Sequence, residues 1–130
     1  VDKVKKVVVL ATAGAMKTKM YENSFNKFGI EVVEIPEEIQ ELIDNSIFSF
    51  KYDGLTNKNE EMMLKAVKFL IDNKAEVLIM GCTEIPLVLR NKKLPVKLIN
   101  PNDVISRIAV KYARNLIQIE KVKDRYLSFI

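Results

Sequence analysis

One cysteine and no histidine among 130 residues decide which chemistry this chain can run. Without histidine the commonest general base is missing, and with it every Ser-His and Cys-His nucleophile pair and most zinc constellations. A lone cysteine makes no intrachain disulfide. Proton transfer is left to Cys82, to Asp, Glu, Lys and Tyr side chains, and to the backbone. Cys82 stands in Gly81-Cys82-Thr83-Glu84, directly after an apolar run over 77–80. A second segment of small residues, Thr12-Ala13-Gly14-Ala15, follows the apolar run over 7–11.

Each of these residues has a plain reading beside the chemical one. A free cysteine is often just a small buried hydrophobe. Placed before a short helix, the same thiol meets backbone N–H groups and the positive helix end, which favour a bound anion and lower its pKa toward thiolate. Thr12 reads as a helix N-cap that can also bind. Glu84 reads as a first-turn acid complementing the helix dipole. Lys51 and Lys58 read as solvated lysines, with a substrate carboxylate as their other reading. No metal-ligand spacing is present.

The elements that must position these residues follow from hydrophobic pattern. Runs 7–11 and 77–80 are short, β-branched and continuously apolar, as in strands buried on both faces. Ile30 to Ile35 and Val96 to Ile99 give two further strands. Helical spacing predicts helices over 16–28, closed by Gly29, over 37–52, ended near Gly54, and from an Asn57 N-cap, with Glu60 three residues on. A short helix is expected from Pro86 to about Arg90, and a last one starts at Asp103 under an Asn102 cap. The order βαβααβαβα predicts an α/β fold with a four-stranded parallel sheet, strand order 2-1-3-4, flanked by helices. In such sheets ligands bind beyond the carboxyl ends of the strands where the order reverses, here past strands 1 and 3. The Thr12 and Cys82 segments fall there.

Net charge is +4, but the lysines are scattered among acids and carry no interleaved aromatics, so a nucleic-acid surface is not expected. The longest apolar run, Val7 to Ala11, falls far short of the ~20 residues a spanning helix needs. No signal-peptide pattern opens the chain, and a cytoplasmic location with no membrane partner is the expectation. Residues 1–117 are expected to form one α/β domain. Residues 118–130 are expected to form a helical extension, its apolar residues docking either on this domain or on a partner subunit.

With these residues in view, Gly81-Cys82-Thr83-Glu84-Ile85-Pro86-Leu87, preceded by 75–80, resembles the second cysteine motif of the aspartate/glutamate racemases. The resemblance runs from residue 4 to about 115. Val8 to Thr12 with Met16 and Tyr21 looks like the strand and turn opening that family's C-terminal half. Ile47-Phe48 with Gly54 looks like its helix end, and Ile99 to Val104 like its closing strand and turn. The family's second threonine in the first turn is Ala15 here.

The resemblance implies one half of a two-domain racemase architecture. It implies racemisation of an acidic amino acid, aspartate or glutamate, by cysteine acid/base proton transfer, without pyridoxal phosphate or any other cofactor. Cys82 would be one of two acid/base residues, with Thr12, Gly14, Thr83 and Glu84 on the substrate side. One thiol serves one face of a carbon. The other face would come from a complementary N-terminal racemase half or from a second copy in a homodimer. Two other readings stay open: a single-cysteine decarboxylase of malonate-type acids, and a non-catalytic half-domain that binds a dicarboxylate.

Overall fold

The computed structural model describes residues 4–118. Contacts divide the chain into two compact units, one up to Ile99 and one from Asn100 onward. The first holds β1 (Lys6–Leu10), α1 (Ala13–Lys17), α2 (Met20–Asn26), β2 (Glu31–Val32), α3 (Glu37–Asp53), α4 (Asn57–Asp72), β3 (Val77–Met80), α5 (Ile85–Val88) and β4 (Lys97–Ile99). The second holds α6 (Pro101–Ala113), an amphipathic helix without a buried residue. From Ile119 on, the extension expected over 118–130 lies outside the described residues. Among the described residues no helix is long and apolar enough to cross a membrane.

The four strands form one all-parallel sheet in the order β2-β1-β3-β4, as the alternation of strands and helices predicts. Strand side chains alternate between its faces. Val8, Leu10, Leu78 and Met80 pack with Ile39, Ile43, Ile47, Met63, Val67 and Ile85 under α3, α4 and α5. Val7, Val9, Ala11, Val77 and Ile79 meet Met16, Tyr21 and Phe25 of α1 and α2 on the other side. Fully burying an Ile43 or Ile47 side chain contributes about 1.5–3 kcal/mol, so α3 is held chiefly by this stripe.

Polar residues then fix where the helices begin and end. Gly54 closes α3 at φ +69°, a conformation other residues rarely adopt. The cap of α4 is Thr56 rather than Asn57, because its hydroxyl accepts from Asn59 N–H while the Asn59 side chain accepts from Thr56 N–H. Asn59 is fully buried and satisfied: its amide donates to the Gly54 carbonyl at 2.8 Å, and its own carbonyl accepts from Ser46 Oγ at 2.6 Å. Likewise Asn100, not Asn102, caps α6, with Pro101 in its first turn. The single helix expected over 16–28 is two. Thr18 Oγ donates to the Ala15 carbonyl at 2.6 Å and accepts from Met20 N–H, competing with the helix ladder. Lys19 turns left-handed at φ 55°, and α2 restarts in a new direction.

Candidate active site

The register of the two central strands builds the site. Leu10 pairs with Met80, so the residues after them leave the sheet side by side. The Gly81 amide donates to the Leu10 carbonyl at 2.8 Å and ties the two turns together. Thr12, Gly14, Cys82, Thr83 and Glu84 therefore share one edge, where the strand order reverses.

In the first turn the sequence reading of Thr12 as a cap holds: its hydroxyl accepts from the Ala15 amide at 3.3 Å. Two α3 residues that the sequence reading passed over complete the turn. The Asp44 carboxylate accepts from the Ala13 amide at 3.0 Å. Gln40 donates to Asp44 at 2.9 Å and to the Ala11 carbonyl at 2.8 Å. A hollow of about 440 Å3 opens beside this turn, lined by residues that include Ala13, Glu34, Gln40 and Asp44, while Cys82 stands outside its lining. Gly14 is exposed.

The second turn is organised around Cys82, which is half-buried. Its thiol donates to Glu84 Oε2 at 2.7 Å, and the Thr83 hydroxyl donates to the same oxygen at 3.0 Å. Lys51, near the end of α3, places Nζ 3.7 Å from the other oxygen, Oε1, and 5.9 Å from the Phe48 ring centroid. Lys51 thus joins the cluster while staying about half exposed, as a solvated lysine does. Among the described residues no group of three or more His, Cys, Asp or Glu side chains gathers as a metal cluster.

The electrostatics correct one expectation. The thiol was expected to drift toward thiolate at a helix start, yet its pKa is pushed up. Burial is the main cause, and the Glu84 carboxylate adds to it by holding the proton and repelling the thiolate; the Glu84 backbone N–H at the helix start and, after it, Lys51 pull the other way without reversing the shift. The helix start is outweighed for structural reasons: the thiol is half-buried, α5 is only four residues long, and Glu84, at its N-cap, folds a negative charge back onto the sulfur. Glu84 in turn is held below the usual carboxylate range, first by the bond from Cys82, then by Thr83 and Lys51.

A sequence model of the Asp/Glu/hydantoin racemase family matches residues 2–109. The chain belongs to that family. Its fold is also that of solved relatives of these racemases. It is similar to a candidate Asp/Glu racemase from Yersinia pestis, with TM-score 0.74 and 22% identity over 85% of this chain and 49% of that one. The Picrophilus torridus aspartate racemase gives TM-score 0.71 and 23% identity over 84% and 45%. An aspartate racemase homologue from Pyrococcus horikoshii gives TM-score 0.72 and 27% identity over 85% and 49%. This racemase-family chain therefore spans about half the length of the solved structures it matches.

Proposed function

We propose that the chain supplies one acid/base half-site of a cofactor-independent racemase acting on an acidic amino acid, aspartate or glutamate, with Cys82 as the proton-carrying group. The observation that carries the reading is the Cys82 thiol, hydrogen-bonded to Glu84, at the shared carboxyl edge of β1 and β3 in a chain of this family. With its pKa raised, Cys82 rests as a thiol. It is therefore the acid of this half-site, giving its proton to one face of the planar α-carbanion after a base on the opposite face has removed the original one. In the reverse direction the Cys82 thiolate takes the α-proton, and its raised pKa makes it the stronger base for that weakly acidic C–H.

The exposed Gly14 turn stands on the same edge as a donor for a substrate carboxylate, whose negative charge grows as the carbanion forms, and the Thr83 hydroxyl can join it once its proton turns from Glu84 to the substrate. The Ala13 amide is already taken by Asp44 and is left out of that role. The opposing base comes from a facing half, either a complementary racemase domain or a second copy of this chain. Incubation with L-aspartate or L-glutamate in D2O, followed by NMR of the α-proton, tests this. Exchange that requires Cys82, together with appearance of the D-enantiomer, supports it. No Cys82-dependent exchange, even with a complementary half present, overturns it.

A second reading is favoured by the same protonated thiol: one-sided protonation of the carbanion left when a malonate-type acid loses CO2. It needs no second base. Turnover of such an acid in the absence of amino-acid exchange would select it.

A further inference from the structure

The peptide that carries Cys82 is gripped from the other face of the sheet by a residue sixty positions away in sequence. Tyr21 Oη donates to the Gly81 carbonyl at 3.0 Å. The approach is so close that a Cβ on Gly81 would lie 2.8 Å from Tyr21 Oη and 3.0 Å from Val9 Cγ1. Position 81 is thus glycine because the tyrosine sits on it. Tyr21 reaches this point through the left-handed residue Lys19, which turns α2 away from α1 and lays the Tyr21 ring with Phe25 against Val7, Val9, Ala11, Val77 and Ile79. The phenol's pKa is raised, first by burial and then by repulsion from the Cys82 thiolate, so hydroxyl and thiol share one neighbourhood.

We propose that Tyr21 is a positioning residue for Cys82: by donating to the Gly81 carbonyl it fixes the peptide preceding the thiol and so holds the Sγ–H on Glu84. The inference rests on Cys82 being the proton carrier, but its test needs no turnover. The ionisable groups acting on the thiol are Glu84 on its own turn, Lys51 from α3 and Tyr21 from α2. If the tyrosine loses its grip, the turn opens, the bond to Glu84 weakens, and part of the upward push on the thiol disappears.

The measurement is the pH profile of Cys82 alkylation by iodoacetamide on the full chain, with thermal melting alongside. Tyr21→Phe keeps the ring and removes only the donor. Its alkylation midpoint should fall by roughly half a pH unit, about a threefold gain in thiolate fraction below the midpoint. The same substitution in a Glu84→Gln background should give no further fall, because the contact through which the tyrosine acts is already gone. A Tyr21→Phe profile that superimposes on the parent's, or a shift of equal size in both backgrounds, overturns the proposal. Should Tyr21→Phe lose its cooperative melt, ultraviolet titration of the tyrosines in Cys82→Ala decides instead. One phenol that titrates earlier than in the parent supports the shared neighbourhood; an unchanged titration curve refutes it.

Discussion

The turns after β1 and β3 start from the same place, the carboxyl ends of adjacent parallel strands, and finish differently. The first is closed by protein. Thr12 satisfies Ala15, Asp44 satisfies Ala13, and Gln40 braces both Asp44 and the Ala11 carbonyl. The second keeps a proton that can move: Cys82, Thr83 and Lys51 converge on one carboxylate. A sheet edge thus offers two equivalent exits from the core, and local side chains decide which is closed by hydrogen bonds to the backbone and which gathers side chains around a thiol. The carboxylate of Asp44 receives amide protons that have nowhere else to go. The carboxylate of Glu84 accepts a hydrogen bond from an ionisable thiol.

This contrast is open to direct attack. The largest effect is expected from Cys82→Ser, since a serine hydroxyl is a far poorer acid/base at neutral pH; α-proton exchange should drop by at least ~100-fold, the scale of a lost general acid/base, with urea unfolding nearly unchanged. Asp44→Ala should do the reverse. Loss of the acceptor for Ala13 and Gln40 should cost about 1–2 kcal/mol of stability in urea titration, while the pH profile of Cys82 alkylation stays in place. If Asp44→Ala moved that profile, the two turns would not be separate devices.

Glu84→Gln comes next. Without the carboxylate the alkylation midpoint of Cys82 should move down in pH. The same substitution carries a stability signature. Glu84 has a lowered pKa in the fold, so its contribution is present above the ordinary carboxylate range and fades as pH falls through the lowered value. Cys82 has a raised pKa, so its contribution is present below the ordinary thiol range and fades as pH rises through the raised value. The stability gap between parent and Glu84→Gln should therefore be widest between those limits, around neutral pH, and narrow on both sides. Lys51→Met is the smallest perturbation. Lys51 is about half exposed, so removing it should raise the thiol midpoint by only a few tenths of a unit and in a salt-dependent way.

What could be read from sequence divides along the same line. The runs 7–11 and 77–80, the helical stripes of Ile39 to Phe50 and Met63 to Ile71, and the rule that sheets bind ligands at the reversal point were enough to fix strand order and to bring Thr12 beside Cys82. Periodicity carries that information because burial dictates it. The ionisation of the thiol was not legible, since it depends first on how deeply the sulfur is buried and then on Glu84 folding back onto it, which together outweigh the backbone N–H of the short helix that follows. The contact of Tyr21 with Gly81 was hidden for a similar reason: Thr18 and Lys19 break a helix whose apolar spacing looks continuous. Asp44 and Gln40 lie one turn apart on α3, and nothing in their spacing says that they face the first turn. Caps slipped by one or two residues, Thr56 for Asn57 and Asn100 for Asn102, where neighbouring polar residues are nearly interchangeable in type.

The buried Asn59 has a consequence in time. It staples α4 to the end of α3 through bonds that span 5 to 13 residues, closing only short loops. The pairing of β1 with β3, by contrast, joins Val8 to Leu78 across most of the domain. Short loops close first, so the helical hairpin is expected to assemble early and the edge that carries Cys82 late. A newly synthesised chain would then spend its last folding step with the thiol still unguarded by Glu84 and Tyr21, and pulse alkylation during refolding would read how long that interval lasts.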